Sequence, residues 1–291
     1  MVTSNSIFAP AKVNLSLKIV GKREDNYHLL KSIVVFVNYG DELLFEDSDN
    51  LSLNIIGEFR DKLLKFPIEN NLVIKSAKAL QKYTKKPVGA KITLIKNLPI
   101  ASGIGGGSAN AAATIRALSD LWKINIDKSS LLKIALELGS DVPICYYRKA
   151  CLMEGIGEKI SFLQLKEKIY IVLITPDISV STAEIFGNIN KSMYGQFPDK
   201  QNYTDIIEPE LLIDEKLYGN VLQQVTIAKF PIIGDIIESI SKTTGCFLSR
   251  MSGSGATCFG LYKNKQNADN AALELKRKYS GSWCVSASIQ E

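Results

Sequence analysis

The sequence predicts an α+β protein of two domains, residues 1–155 and 156–291. Three observations lead there. Short apolar runs of strand length are interleaved with longer helical stretches along the whole chain. The second half reads strand, helices, strand, strand, helix, strand, an order that lays helices over one face of a sheet. In the first half, a strand-like run and a good helix former are joined by a loop with four glycines in five residues: Gly103, Gly105, Gly106 and Gly107.

The elements follow in order. Val13, Leu15, Leu17 and Ile19 alternate with Lys12, Asn14, Ser16 and Lys18, which predicts a half-buried strand with a polar face. Residues 32–37, 42–45 and 51–56 are three more strands. A helix is expected over 69–83, with Leu72, Ala77, Leu80 and Tyr83 on or near one face. The strand at 90–95 precedes the glycine loop, and a helix over 111–122 follows it. Asp127 is placed to cap a helix running to about Leu138, which Gly139 would end. In the second half, 170–175 is a strand ending at Pro176. Helices are expected over 182–188, 217–229 and 232–242. Strands at 246–251 and 257–262 are joined by the small-residue turn after Met251. A helix over 266–279 and a strand over 283–288 complete the chain, and the polar segment 190–210, with Pro198 and Pro209, reads as a loop.

Apolar residues make up 46% of the chain and charged residues 22%, the balance of an ordinary globular protein. The net charge of +5 suits anionic small molecules and is too dispersed to argue for nucleic acid. Lys85-Lys86 and Lys276-Arg277-Lys278 read as solvated helix ends. Five cysteines with no C-x-x-C spacing, and a single histidine, leave few ligands for zinc and fit a reducing cytoplasm. The N-terminal residues through Phe8 lack a basic start and an apolar core of signal type, and no apolar run is long enough to span a bilayer. A cytoplasmic protein with no membrane partner is expected.

The glycine loop carries the chemistry. Glycines allow close backbone approach to a ligand, and the first turn of a helix offers free N–H groups and the positive end of its dipole. Pro99, Ile100, Ala101, Ser102, Gly103, Ile104, Gly105, Gly106, Gly107, Ser108 and Ala109 are therefore candidates for a phosphate cradle. No lysine follows the glycines as a P-loop requires, and Ser108 and Asn110 stand where a dinucleotide fingerprint needs its last small residue. The H-R-D and D-F-G sets of a protein kinase are absent. The alternative is a flexible surface turn, against which the entropic cost of four clustered glycines argues.

Three stretches together resemble the GHMP kinases, the family of galactokinase, homoserine kinase and mevalonate kinase. They are Ala9-Pro10-Ala11-Lys12-Val13-Asn14, the loop from Pro99 to Ala113, and Ser252-Gly253-Ser254-Gly255-Ala256-Thr257. The resemblance spans nearly the whole chain. It implies a ribosomal-protein-like N-terminal domain, a ferredoxin-like C-terminal layer, ATP and Mg²⁺ as cofactors, and a cleft between the domains where ATP meets an alcohol acceptor. The block from Lys22 to Leu30, with Tyr27 and His28, and the run Gly139-Ser140-Asp141-Val142-Pro143 are most similar to the branch whose acceptor is a cytidine diphosphate-linked methylerythritol. That branch usually has glycine before Tyr-His, where this chain has Asn26, a residue that tolerates the same turn. Ala109 stands where the family often has serine, which removes a hydroxyl available to phosphate or Mg²⁺. No residue is assigned as a metal ligand.

Roles are carried over on those positions. Lys12 and Asn14 share one strand face about 6.5–7 Å apart. Read alone they are a solvent-facing edge; the resemblance instead implies contact with the acceptor hydroxyl and a phosphate oxygen. Asp141 read alone is an N-cap or turn carboxylate. The resemblance implies the group that takes or orients the hydroxyl proton, paired with Lys12. A lone histidine is usually structural; here Tyr27, His28 and Phe186 are implied as the cytosine site, while Phe186 read alone is a core residue. The Ser252 turn is read as supporting. A monomer or homodimer is expected, acting on a small molecule and not on nucleic acid. Two rivals remain: a kinase of another small alcohol, of homoserine or mevalonate type, and a non-catalytic nucleotide- or RNA-binding module.

Overall fold

The computed structural model describes residues 5–25, 27–86, 88–197 and 205–290, so the turn expected at Asn26 and the loop proline Pro198 lie outside the described residues. The chain opens with β1 (Asn5–Asn14), β2 (Lys18–Lys22), β3 (His28–Ser48) and β4 (Leu51–Ile56). The helices α1 (Arg60–Leu63) and α2 (Leu72–Thr84) lead to β5 (Gly89–Ile95), then α3 (Gly106–Leu121), α4 (Lys128–Leu138) and α5 (Val142–Tyr147). There follow β6 (Cys151–Gly155), β7 (Lys159–Phe162), β8 (Gln164–Leu165), β9 (Tyr170–Thr175), α6 (Thr182–Gly187) and β10 (Ile206–Ile207). The chain ends with α7 (Glu215–Tyr218), α8 (Val221–Lys229), α9 (Ile232–Ser241), β11 (Cys246–Met251), β12 (Cys258–Tyr262), α10 (Lys265–Lys278) and β13 (Trp283–Ser288). Among the described residues, no helix is long and apolar enough to cross a membrane.

These elements sort into two compact units that interleave along the chain. The first comprises Met1–Ala11, Tyr39–Ile100 and Gly105–Arg148; the second comprises Lys12–Asn38, Ala101–Ile104 and Lys149–Glu291. In the first, β5 pairs antiparallel with the second half of β3, from Glu42↔Ile95 to Ser48↔Gly89, and parallel with β4. Its apolar core is lined by Leu43 and Phe45 of β3, Ile92 and Leu94 of β5, Val73, Ala77 and Leu80 of α2, and the alanine-rich face of α3. The indole N–H of Trp122, just past α3, donates to the Gly89 carbonyl at 2.8 Å.

In the second unit, the first half of β3 pairs antiparallel with β2 and with β6, which pairs in turn with β7. A separate antiparallel sheet runs in the order β11-β12-β9-β13, with α9 and α10 packed on it. This is the β-α-β-β-α-β connectivity of a ferredoxin-like layer, as expected. Its core joins Leu17 and Ile19 to Val172 and Ile174, to Ile233, Ile236 and Ile240 of α9, and to Ala268, Ala271 and Leu275 of α10.

Four expectations are corrected. Strands 32–37 and 42–45 are one 21-residue strand. The segment between them does not turn; Gly40 is where β1 crosses closely, and a Cβ there would lie 2.2 Å from the Ala9 carbonyl oxygen. The polar face of the first strand is not solvated, since Lys12, Asn14, Ser16 and Lys18 are all buried. The helix expected over 217–229 breaks at Gly219-Asn220, because Leu17 forms two backbone hydrogen bonds there, from its N–H to the Gly219 carbonyl and to its carbonyl from the Val221 N–H. The segment 190–210 is not all loop: it holds 3₁₀ turns at Lys191–Met193 and at the start of Pro209–Ile213, and Ile206–Ile207 pairs parallel with Gln164–Leu165.

Candidate active site

The glycine loop belongs partly to each unit. Ala101–Ile104 lie in the second, where three hydrogen bonds fix them. The Lys12 amide donates to the Ile104 carbonyl at 2.9 Å, the Thr257 amide to the Ser102 carbonyl at 3.0 Å, and the Ser252 hydroxyl to the Gly103 carbonyl at 3.0 Å. Gly103 is left-handed, with φ of +79°, and a Cβ there would lie 2.6 Å from the Ser252 carbonyl oxygen. Glycine is thus demanded by the protein's own packing as well as by any ligand.

From Gly105 onward the loop belongs to the first unit. Gly105 is left-handed (φ 64°) and α3 begins at Gly106, five residues before the start expected from helix propensity. Two of the glycines are therefore helical, and glycine suits both positions because a Cβ would crowd a neighbour: Lys96 Nζ lies 3.2 Å from that point on Gly106 and Leu72 Cδ1 3.3 Å from it on Gly107. The opening amides of this 16-residue helix precede its first hydrogen-bonded turn, which starts with the Ala109 amide on the Gly105 carbonyl. Such amides, with the helix dipole behind them, suit a phosphate.

Lys12 is buried, and its ammonium donates to Asn14 Oδ1 at 2.8 Å. Asn14 is itself held: Nδ2 donates to the Ser32 hydroxyl at 2.7 Å, and its amide donates to Ser252 Oγ at 3.1 Å. Ser32 passes the chain on to the Ser16 carbonyl. Asn220 braces the same turn from outside, donating through Nδ2 to the Met251 and Gly253 carbonyls at 2.8 Å each. The result is a lysine on a preformed polar support, able to stabilise negative charge with little rearrangement.

The cytosine candidates sit elsewhere in the same unit. The rings of His28 and Phe186 lie 5.6 Å apart and tilted by 39°, and Tyr194 meets His28 edge-on at 6.3 Å. Burial, and then the charge of Lys22, push the His28 pKa down, while a hydrogen bond to the Phe186 main chain pulls it back. His28 Nδ1 is buried with no hydrogen-bond partner. A neutral imidazole with an unused acceptor beside an aromatic face can stack a flat base and read its edge. Tyr27, the third candidate, is 62% exposed, so its ring is accessible to a ligand.

Asp141 belongs to the first unit and stands at the N-cap of α5, yet its side chain makes no cap hydrogen bond to that helix. Its backbone carbonyl accepts from the Cys145 amide, so the main chain alone starts the helix. None of the five cysteines is joined in a disulfide.

Comparison with known proteins decides the family. The profile for the GHMP kinases N terminal domain matches residues 71–149, and that for GHMP kinases C terminal matches residues 204–281. The chain belongs to the GHMP kinases. Within that family, 4-diphosphocytidyl-2-C-methyl-D-erythritol kinase of Parvibaculum lavamentivorans is 41% identical over 279 residues, 94% of either chain. The kinase of the same name from Paramagnetospirillum magneticum is 39% identical over 99% of both. A crystal structure of 4-(cytidine 5'-diphospho)-2C-methyl-D-erythritol kinase superposes with a TM-score of 0.80 at 28% identity, covering 99% of this chain and all of that one. Homoserine kinase from Cytophaga hutchinsonii shares the fold, with a TM-score of 0.72 at 21% identity and coverage of 99% and 96%.

In this GHMP kinase, the N-terminal match takes in the glycine loop and Asp141, and the C-terminal match takes in the Ser252 turn. Lys12, Asn14, Tyr27, His28 and Phe186 lie outside both matches and within the whole-chain alignments. Sequence reasoning missed Ser32, Asn220 and Tyr194. Tyr194 had a signal, an aromatic inside a polar stretch; Ser32 and Asn220 act through contacts remote in sequence and had none.

Proposed function

We propose that this chain transfers the γ-phosphoryl group of ATP to the 2-hydroxyl of 4-diphosphocytidyl-2-C-methyl-D-erythritol, a step of isoprenoid precursor synthesis by the non-mevalonate route. The observation that carries this reading is 41% identity across 94% of both chains with a kinase of that name. The pairing of His28 with Phe186 supports it, because homoserine and mevalonate offer no flat base for such a site. Residues 1–155 supply the phosphate loop, Lys12 and Asp141; residues 156–291 supply Phe186 and the Ser252 turn. The enzyme works in the cytoplasm on a small molecule, as a monomer or homodimer.

Phosphoryl transfer asks the protein mainly for alignment and positive charge. Amides at the start of α3 hold the triphosphate. Tyr27, His28 and Phe186 hold the cytosine. Asp141 accepts or orients the proton of the 2-hydroxyl as its oxygen attacks phosphorus and ADP departs. Lys12, braced by Asn14, stabilises the charge that develops on the attacking and transferred oxygens. Mg²⁺ neutralises phosphate charge when bound. Among the described residues, no group of three His, Cys, Asp or Glu side chains is placed to hold a metal, and no residue is assigned to the ion.

The test is a substrate panel. Purified protein with ATP and Mg²⁺ is offered 4-diphosphocytidyl-2-C-methyl-D-erythritol, homoserine and mevalonate, with ADP release and ³¹P NMR as readouts. Phosphorylation of the cytidine compound alone is expected. Preference for another alcohol would reassign the acceptor.

A further inference from the structure

The first unit buries a cation and a carboxylate of its own, distinct from Lys12 and Asp141. Asp41 is fully buried in β3. Its Oδ1 accepts the backbone N–H groups of Asn97 and Leu98, both at 2.8 Å. Its Oδ2 accepts the Lys96 ammonium at 2.5 Å and the Asn110 side-chain amide at 2.9 Å. Lys96 is buried too, and loss of hydration lowers its pKa more than Asp41 restores it. A buried ion pair of this kind rarely improves on an apolar pair of the same volume. Stability alone therefore gives it little reason to exist.

Its placement gives a better one. Lys96 Nζ lies against Gly106, 3.2 Å from where a Cβ would stand, and Gly106 is the first residue of α3. Asn110, one turn later on the same helix, is tied to the same carboxylate. Asn110 Oδ1 is buried without a partner, so this amide is held in place at a cost in unsatisfied polarity. Gly106, which the sequence alone assigns to ligand approach, also makes room for a lysine from below.

We propose that Asp41, Lys96 and Asn110 are positioning residues that fix the opening turn of α3, and so set affinity for the nucleotide triphosphate rather than for the acceptor. The network grips the helix at its first and second turns: Lys96 Nζ packs against Gly106, and the Asn110 amide bonds the Asp41 carboxylate. This rests on the kinase reading above.

The experiment is calorimetric titration of ATP with Mg²⁺ into wild type, Asp41→Asn/Lys96→Met and Asn110→Ala, with the KM of the cytidine acceptor measured at saturating ATP. The double variant removes both charges at once, leaving no lone buried ion. It should bind ATP more weakly by about tenfold, the scale of one lost electrostatic contact. Acceptor KM should stay within about twofold, a split that a general loss of structure would not produce. Asn110→Ala carries no buried charge defect and should weaken ATP in the same direction, which keeps the test alive if the double variant does not fold. Unchanged ATP affinity in folded variants, or equal losses for both substrates, overturns the proposal. A wild-type protein that binds no ATP overturns the kinase reading instead.

Discussion

The amide of Lys12 donates to the carbonyl of Ile104 across 2.9 Å, so the strand that carries the candidate catalytic lysine also holds one end of the glycine loop. Backbone and side chain of Lys12 therefore do separable jobs. The main chain shapes the loop; the ammonium rests on Asn14 and is the group proposed to stabilise charge. Lys12→Met keeps the first and loses the second. Turnover should fall by on the order of 10²–10³, the scale of losing one charge-stabilising donor. ATP affinity measured by calorimetry should change far less than kcat. A parallel loss of both would mean that the side chain, not the backbone, organises the loop.

Asp141 is the complementary case. Its side chain makes no cap hydrogen bond to α5, and Asp141→Asn keeps the side chain's size while removing its charge, so kcat should fall far more than the thermal midpoint does. Loss of a general base would lower kcat by roughly 10²–10⁴. The comparison of kcat with Tm by scanning calorimetry is decisive. A variant that turns over near the wild-type rate removes the carboxylate from the mechanism.

How much of this was legible follows from whether a signal is local. The helix Lys128–Leu138 was legible at both ends, because Asp127 caps it and Gly139 ends it within the segment itself. The strands Leu51–Ile56 and Trp283–Ser288 were equally plain from their own composition. The break at Gly219-Asn220 was not, since it is imposed by Leu17 and by the Met251 and Gly253 carbonyls, remote in sequence. The alternation around Lys12 suggested a wet face; Asn14 on that face is instead bonded to Ser32 and Ser252, which no pattern near residue 12 announces. In the site, motifs found the glycine loop, and the structure brings Lys12 to Asn14 and His28 to Phe186. The reasons for individual glycines were hidden, because Gly103 answers to Ser252 and Gly106 to Lys96.

His28 gives the site a pH signature. Its pKa lies below the ordinary imidazole value of about 6.5, chiefly through burial, and its Nδ1 is an acceptor only while the ring is neutral. From pH 7 upward the ring is neutral and KM for the cytidine acceptor should be flat. As pH falls through the lowered pKa, the added proton turns Nδ1 into a donor and KM should rise. KM for ATP should not follow it. His28→Ala should raise acceptor KM at all pH values and flatten the profile. An acceptor KM that stays constant down to the onset of acid unfolding would detach His28 from base recognition.

Ser252 joins loop and strand through one oxygen, donating to the Gly103 carbonyl and accepting from the Asn14 amide. The residue is fully buried, so no solvent replaces its bond to the Asn14 amide. Ser252→Ala leaves the buried Asn14 N–H and the part-buried Gly103 carbonyl short of a partner, at a cost of about 1–3 kcal/mol for the buried group. Urea denaturation should show that loss as a lower midpoint at unchanged m-value. Activity should fall beyond what the unfolded fraction explains, because Asn14, the support of Lys12, and Gly103, in the loop, lose their common tether together. Activity that tracks the folded fraction alone would show that Ser252 serves the fold and not the site.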